Sequence, residues 1–133
     1  NLRHLPLVVG VNNHMGSRAT SDTRVMQHVF QVLKSTGLFF LDSYTISTSV
    51  AGQVAQEVGV PYAVNDLFID NVNDEELIMT QIRQGISMAQ RKGSAIIIGH
   101  VRPRTASALW KILPEIIDSG VQLVPVSALL QIP

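Results

Sequence analysis

No cysteine occurs in the 133 residues, which excludes disulfides and thiolate metal ligands. It leaves the compartment open, since cysteine-free proteins occur on both sides of a membrane. Charge is scarce as well: ten basic and ten acidic side chains make up 15% of the chain and cancel. No net positive field is left to gather nucleic acid or an anionic membrane by counterion release, so nucleic acid is not an expected partner. No run of 18 apolar residues interrupts the chain, and no basic segment followed by an apolar stretch opens it. The expectation is a chain that is soluble as given, without a membrane span. It starts at Asn1 rather than at methionine, which is compatible with the removal of an upstream signal or anchor. No glycine-rich phosphate loop follows any apolar run, which disfavours phosphate or nucleotide binding.

What is present is apolar. Hydrophobic residues make up 46% of the chain and the mean hydropathy is +0.24, which favours a buried sheet. The length suits one domain with a real core but is short for a complete eight-stranded barrel.

Along the chain, a short apolar run, a polar turn and an amphipathic stretch closed by glycine recur in order. The apolar runs cover residues 7–11, 38–41, 60–64, 95–98 and 121–126, each about as long as a buried parallel strand. Between them, Ser21 or Asp22 caps a helix that carries Val25, Val29, Phe30, Val32 and Leu33 to Gly37. Ser47 or Ser49 opens a second, with Val50, Val54 and Val58, that stops at Gly59. Asn73, Asp74, Glu75 and Glu76 put negative charge at the positive end of a third helix, which runs through Leu77, Ile78, Ile82 and Ile86 to Arg91, Lys92 and Gly93. A last helix over residues 105–120 should turn Leu109, Leu113, Ile116 and Ile117 inward, and Pro114 should kink or divide it. The rhythm predicts five parallel strands in one α/β domain over residues 1–133, with no second domain.

In parallel α/β proteins function gathers at the carboxyl ends of the strands, where the βα loops open. Here the runs are followed by Asn12-Asn13-His14-Met15-Gly16-Ser17, by Asp42-Ser43, by Asn65-Asp66 and by Gly99-His100. Topology therefore predicts His14, Asp42, Asp66 and His100 on one rim. Two histidines joined by carboxylates match the imidazole-and-carboxylate shell of a hydrolytic Zn²⁺ or similar divalent ion, and structural hydrogen bonding stays open as the plain reading. Asn12 reads as a loop residue and Asn13 as either a loop residue or a ligand contact. Ser17 reads first as a helix cap and second as a donor to a ligand oxyanion. Asp70, after Phe68-Ile69, is a turn residue or a distal rim carboxylate. Arg102 and Arg104 flank Pro103 and either hold a substrate carboxylate or lie in solvent. His4 and His28 are set aside as surface or packing residues, and Trp110 reads as core or interface.

The strings Gly10-Val11-Asn12-Asn13-His14-Met15-Gly16-Ser17, Leu38-Phe39-Phe40-Leu41-Asp42-Ser43, Asn65-Asp66-Leu67-Phe68-Ile69-Asp70 and Ile98-Gly99-His100 together resemble the divergent polysaccharide deacetylase family. The likeness covers nearly the whole chain, with NNHMGS its most specific part. It implies a distorted parallel (β/α) barrel, related to the metal-dependent polysaccharide deacetylases, in the bacterial envelope, hence an extracytoplasmic (periplasmic or secreted) location. Members of that family carry a further N-terminal portion with a paired aspartate after the first barrel strand and another histidine-bearing strand end. Neither is present here, so the resemblance places this chain in the C-terminal part of the domain, with an open barrel edge. It implies His14 as a metal ligand, Zn²⁺ as the cofactor, and His100 as the histidine that protonates the leaving group or stabilises the tetrahedral intermediate. Asp42 is the second catalytic candidate; Asn13, Ser17, Asp66 and Arg102 are the substrate-binding candidates. The His-x-x-x-His ligand motif of the ordinary deacetylases has no match, because His14 is followed by Ser17 and Arg18.

The activity implied is removal of acetyl groups from N-acetylated sugars of a cell-envelope polysaccharide or peptidoglycan-like glycan. A metal-activated water attacks the acetyl carbon and a histidine protonates the leaving amine. The rival is a non-catalytic envelope module that binds glycan or a partner protein on the same fold, which the missing first-strand aspartates favour. An upstream Asp-Asp strand end in the complete gene discriminates the two.

Overall fold

A computed structural model describes residues 7–133, so His4 lies outside the described residues. The chain is mixed α/β and groups into two compact units: one runs to Val64 and takes in Val126–Pro133, the other is Asn65–Pro125.

The first unit contains β1 (Gly10–Asn12), α1 (Ser17–Thr20), α2 (Thr23–Thr36), β2 (Phe39–Asp42), α3 (Ala51–Val58), β3 (Tyr62–Val64) and a closing 3₁₀ turn (Val126–Leu129). Its three strands form a parallel sheet in the order β1-β2-β3. The register sets Asn12 beside Leu41 and Asp42 beside Val64, which lines up the carboxyl ends of all three along one edge. Asp22 starts α2 by accepting the Val25 amide, and Gly37 stops it in the left-handed conformation that glycine enters at least cost. The apolar stripe of α2, Met26, Phe30 and Leu33, packs with Phe40 of β2, Val54 and Ala55 of α3 and Tyr62 of β3. Phe30 meets Phe40 edge to face at 5.1 Å. Gly10 has to be small: a Cβ there would stand 2.3 Å from the Phe39 ring.

The second unit contains β4 (Leu67–Phe68), α4 (Glu75–Lys92), β5 (Ile97–Ile98) and α5 (Pro103–Asp118). β4 and β5 pair in parallel, Leu67 with Ile97 and Phe68 with Ile98. Asp74 caps α4 through the Leu77 amide, as its acidic start predicts. Ile78, Met79 and Ile82 of α4 pack on Ala108, Ile112 and Ile116 of α5. The two helices are joined outside by Arg83 with both oxygens of Glu115 and by Lys111 with Glu75.

Five sequence expectations change. Among the described residues the sheets are open and separate, three strands and two, so no closed barrel forms. Residues 121–126 form no strand: Leu123 is 69% exposed, so the run has no packed face to hold it in a sheet, and Gln131 instead makes an isolated antiparallel bridge to Tyr62. The strand at Leu67–Phe68 was not anticipated as one of the five. Pro114 does not divide α5; it stands on the exposed side, where water can take the carbonyl its missing N–H leaves unbonded. The inward face of α5 is also rotated from the expected one: Thr105, Ala108, Ile112 and Ile116 are buried, whereas Leu109 and Ile117 are exposed.

Candidate functional site

Each unit gathers polar residues at the carboxyl ends of its own strands. In the first unit the loops after β1 and β2 are tied together by Asn13 and Ser43. The Ser43 amide donates to Asn13 Oδ1 at 2.7 Å, and the Ser43 hydroxyl donates to the Asn13 carbonyl at 2.7 Å. That fixes the orientation of the Asn13 amide, and its Nδ2 is buried with no hydrogen-bond partner among the described residues. A buried donor left in that state costs about 1–3 kcal/mol. Asp42, the last residue of β2, is 2% exposed. Its Oδ1 accepts the Tyr44 amide at 2.8 Å and its Oδ2 the Ser49 hydroxyl at 2.6 Å. Ser17 does not cap α1, whose N-cap is Gly16; its hydroxyl pairs with that of Thr45 at 2.8 Å. His14 stands on the exposed part of the β1–α1 loop.

Met15 and Tyr44 take up left-handed backbone with φ of 54° and 52°. Such conformations cost non-glycine residues on the order of 1 kcal/mol or more, and they persist where the surroundings over-determine them. Both fall on these two loops, one after His14 and one bonded to Asp42.

In the second unit the centre is Asp70, 0% exposed, two residues beyond β4. Its Oδ1 lies 2.8 Å from His100 Nδ1. Its Oδ2 accepts the His100 amide at 2.6 Å and the Thr105 hydroxyl at 2.8 Å. The Arg102 guanidinium donates to the Asp70 carbonyl at 2.9 Å. Burial alone would raise the Asp70 pKa, but hydrogen bonds from the His100 ring, Thr105 and the His100 amide outweigh it and hold the carboxyl below its ordinary range. An ionised Asp70 only accepts, so His100 Nδ1 carries the hydrogen. The His100 ring stacks at 20° on Phe68 and its side chain keeps 34% exposure.

Asp66 is not part of this cluster. It precedes β4, at the amino end of the strand pair whose carboxyl ends carry Asp70 and His100. Its oxygens take the Ile96 amide at 2.9 Å and Lys92 Nζ at 3.1 Å, which ties the end of α4 to the start of β5. Asp70 and Thr105 were the residues that sequence reasoning ranked low or passed over. The signal for Asp70 was the parallel between Phe68-Ile69-Asp70 and Ile98-Gly99-His100, two short apolar pairs each reaching a polar residue at the same step. Thr105 carried no signal, being one hydroxyl in the first turn of a helix.

The sequence profile of divergent polysaccharide deacetylases matches residues 1–130. The chain belongs to the divergent polysaccharide deacetylase family. It is 39% identical over 132 residues to the uncharacterized protein YibQ of Escherichia coli K12, covering 99% of this chain and 41% of that protein. It is 45% identical over 101 residues to an uncharacterized protein of Haemophilus influenzae, covering 76% of this chain and 36% of that one. The crystal structure of uncharacterized protein ATU2773 from Agrobacterium tumefaciens C58 superposes with a TM-score of 0.87 at 27% identity, over 91% of this chain and 49% of the other. The chain thus spans less than half the length of the curated relatives it matches.

For the metal that the family resemblance implies, the described residues offer no complete donor set. Among the described residues no three His, Asp or Glu side chains come together so as to hold an ion. Asp42 already spends both oxygens on Tyr44 and Ser49, and Asp70 spends both on His100 and Thr105.

Proposed function

We propose that this chain supplies the proton-transferring part of an amide hydrolase that removes acetyl groups from N-acetylated sugars of a cell-envelope polysaccharide, acting outside the cytoplasm. The observation that carries the reading is the His100–Asp70 pair. A wholly buried carboxylate, held by the His100 amide and the Thr105 hydroxyl on the same loop and helix turn, orients one imidazole. In the reaction, water adds to the acetyl carbon and gives up a proton to His100, the carbon–nitrogen bond breaks, and His100 passes that proton to the departing amine; the products are acetate and the free amino sugar. Arg102, held by the Asp70 carbonyl, is placed to favour a polar oxygen of the glycan. Asn13 Nδ2, a buried donor without an acceptor among the described residues, is suited to a carbonyl or hydroxyl oxygen once the loop it belongs to admits one.

The absence of a three-residue metal cluster among the described residues favours a second reading, a glycan-binding module without turnover. One experiment separates the two. Acetate release from an N-acetylated oligosaccharide is measured for the wild-type chain, His100→Gln and Asp70→Asn, beside calorimetric binding of the same glycan. The hydrolase reading expects release that falls at least about a hundredfold in His100→Gln, with a changed pH profile in Asp70→Asn. Binding with no release in the wild type assigns the chain to the second reading, and release untouched by His100→Gln removes the role given to His100.

A further inference from the structure

Thr105 opens the buried stripe of α5, ahead of Ala108, Ile112 and Ile116, and is the polar member of that stripe. A buried hydroxyl costs free energy unless it finds a partner. Several other helical hydroxyls of this chain find one in the preceding turn of their own helix: Thr20 bonds the Ser17 carbonyl, Ser35 that of Val32 and Thr80 that of Glu76. Thr105 does not. Its hydroxyl leaves the helix and donates to Asp70 Oδ2 at 2.8 Å, while the Arg102 carbonyl one turn back takes the Ala106 amide. The methyl is seated as well. A Cβ on Gly99 would stand 3.0 Å from Thr105 Cγ2 and 3.0 Å from Ile69 Cδ1, so the bare backbone of Gly99 makes room for the threonine methyl. A β-branched side chain is stiff at χ1, and with the methyl lodged there the hydroxyl faces Asp70.

The other two donors on the Asp70 carboxylate both belong to His100, its amide on Oδ2 and its Nδ1 on Oδ1. They set the two residues relative to each other. Thr105 is the donor that comes from a helix, and it refers the pair to α5. We infer that Thr105 is a positioning residue, which acts through Asp70 to hold the His100 imidazole in its reactive orientation. The inference rests on the proton-transfer role proposed for His100. Displacing a transferring group by about 1 Å can cost about a hundredfold in rate, so the loss of this bond is read in turnover rather than in affinity.

Two substitutions separate the hydroxyl from the methyl. Thr105→Val keeps the shape and removes the donor; Thr105→Ser keeps the donor and removes the methyl. Circular dichroism confirms that each variant is folded, and Thr105→Ala takes the place of Thr105→Val if the latter is not. Two readouts are compared with wild type: the proton NMR signal of the His100 Nδ1 hydrogen, assigned by its loss in His100→Gln, and kcat and KM for acetate release from an N-acetylated oligosaccharide. In Thr105→Val the signal should broaden through faster exchange with water, and kcat should fall at least about tenfold with KM within about twofold of wild type. Thr105→Ser should restore a sharp signal and most of the turnover. A wild-type signal and kcat in Thr105→Val overturn the inference, as does an equal loss in Thr105→Ser, which would make the methyl and not the hydrogen bond the cause. A rise in KM at unchanged kcat overturns it too. If the wild type releases no acetate, the hydrolase reading fails by itself and the Nδ1 signal decides: unchanged in Thr105→Val, it overturns the positioning role; broadened there and sharp in Thr105→Ser, it supports that role.

Discussion

Asp70 is buried at no exposure and yet held in its ionised form, because both of its carboxylate oxygens are met by donors from His100 and Thr105. A carboxyl whose pKa is lowered on folding contributes stability above the ordinary aspartate pKa and loses it as pH falls through the lowered value. The chain should therefore hold its urea midpoint near neutrality and lose stability on the acid side of that range. Asp70→Asn should cost about 1–3 kcal/mol at neutral pH and flatten the acid limb; an acid limb identical to wild type would show that Asp70 does not carry it. Sequence reasoning reached His100 by position and reached Asp70 only as one option among turn residues. A hydrogen-bond partner thirty residues away in sequence follows from strand pairing, and no pattern in Phe68-Ile69-Asp70 announces which histidine it will face.

At the scale of elements, the helices were readable and the strands less so. Helix ends are marked by chemistry that acts locally: Asp22 and Asp74 cap, and Gly37, Gly59 and Gly93 stop. Strand identity depends on a neighbour, so an apolar run such as residues 121–126 can satisfy the pattern and still stay unpaired. α5 shows the same limit for burial, since two apolar faces give two possible inward phases and only packing on α4 chooses between them. Between β5 and α5, Gly99 admits Ile69 and Thr105 side chains at 3.0 Å from where a Cβ would stand. Gly99→Ala should push on the residue that holds Asp70 Oδ2, destabilise by about 1–3 kcal/mol and lower the activity tested for His100. A variant with wild-type melting temperature and turnover would show that the neighbours yield freely.

For the whole molecule, the balance of charge and the donor inventory set what it can hold. Purified without chelator, the chain should contain well under one zinc per molecule by elemental analysis, and His14→Ala should leave that content unchanged. Near-stoichiometric zinc that vanishes in His14→Ala would restore the metal centre that the family resemblance implies. The Asp66 clasp bears on a different property, the order in which the chain folds. It joins points thirty residues apart and so closes the stretch that contains β4 and α4, the same span that the Leu67–Ile97 pairing must close. Whichever of these contacts forms first pays most of the loop-closure entropy for the other. Asp66→Asn should then slow refolding more than it speeds unfolding in stopped-flow kinetics, giving a φ-value well above one half, whereas an effect confined to unfolding would mean that the clasp closes after the rate-limiting step.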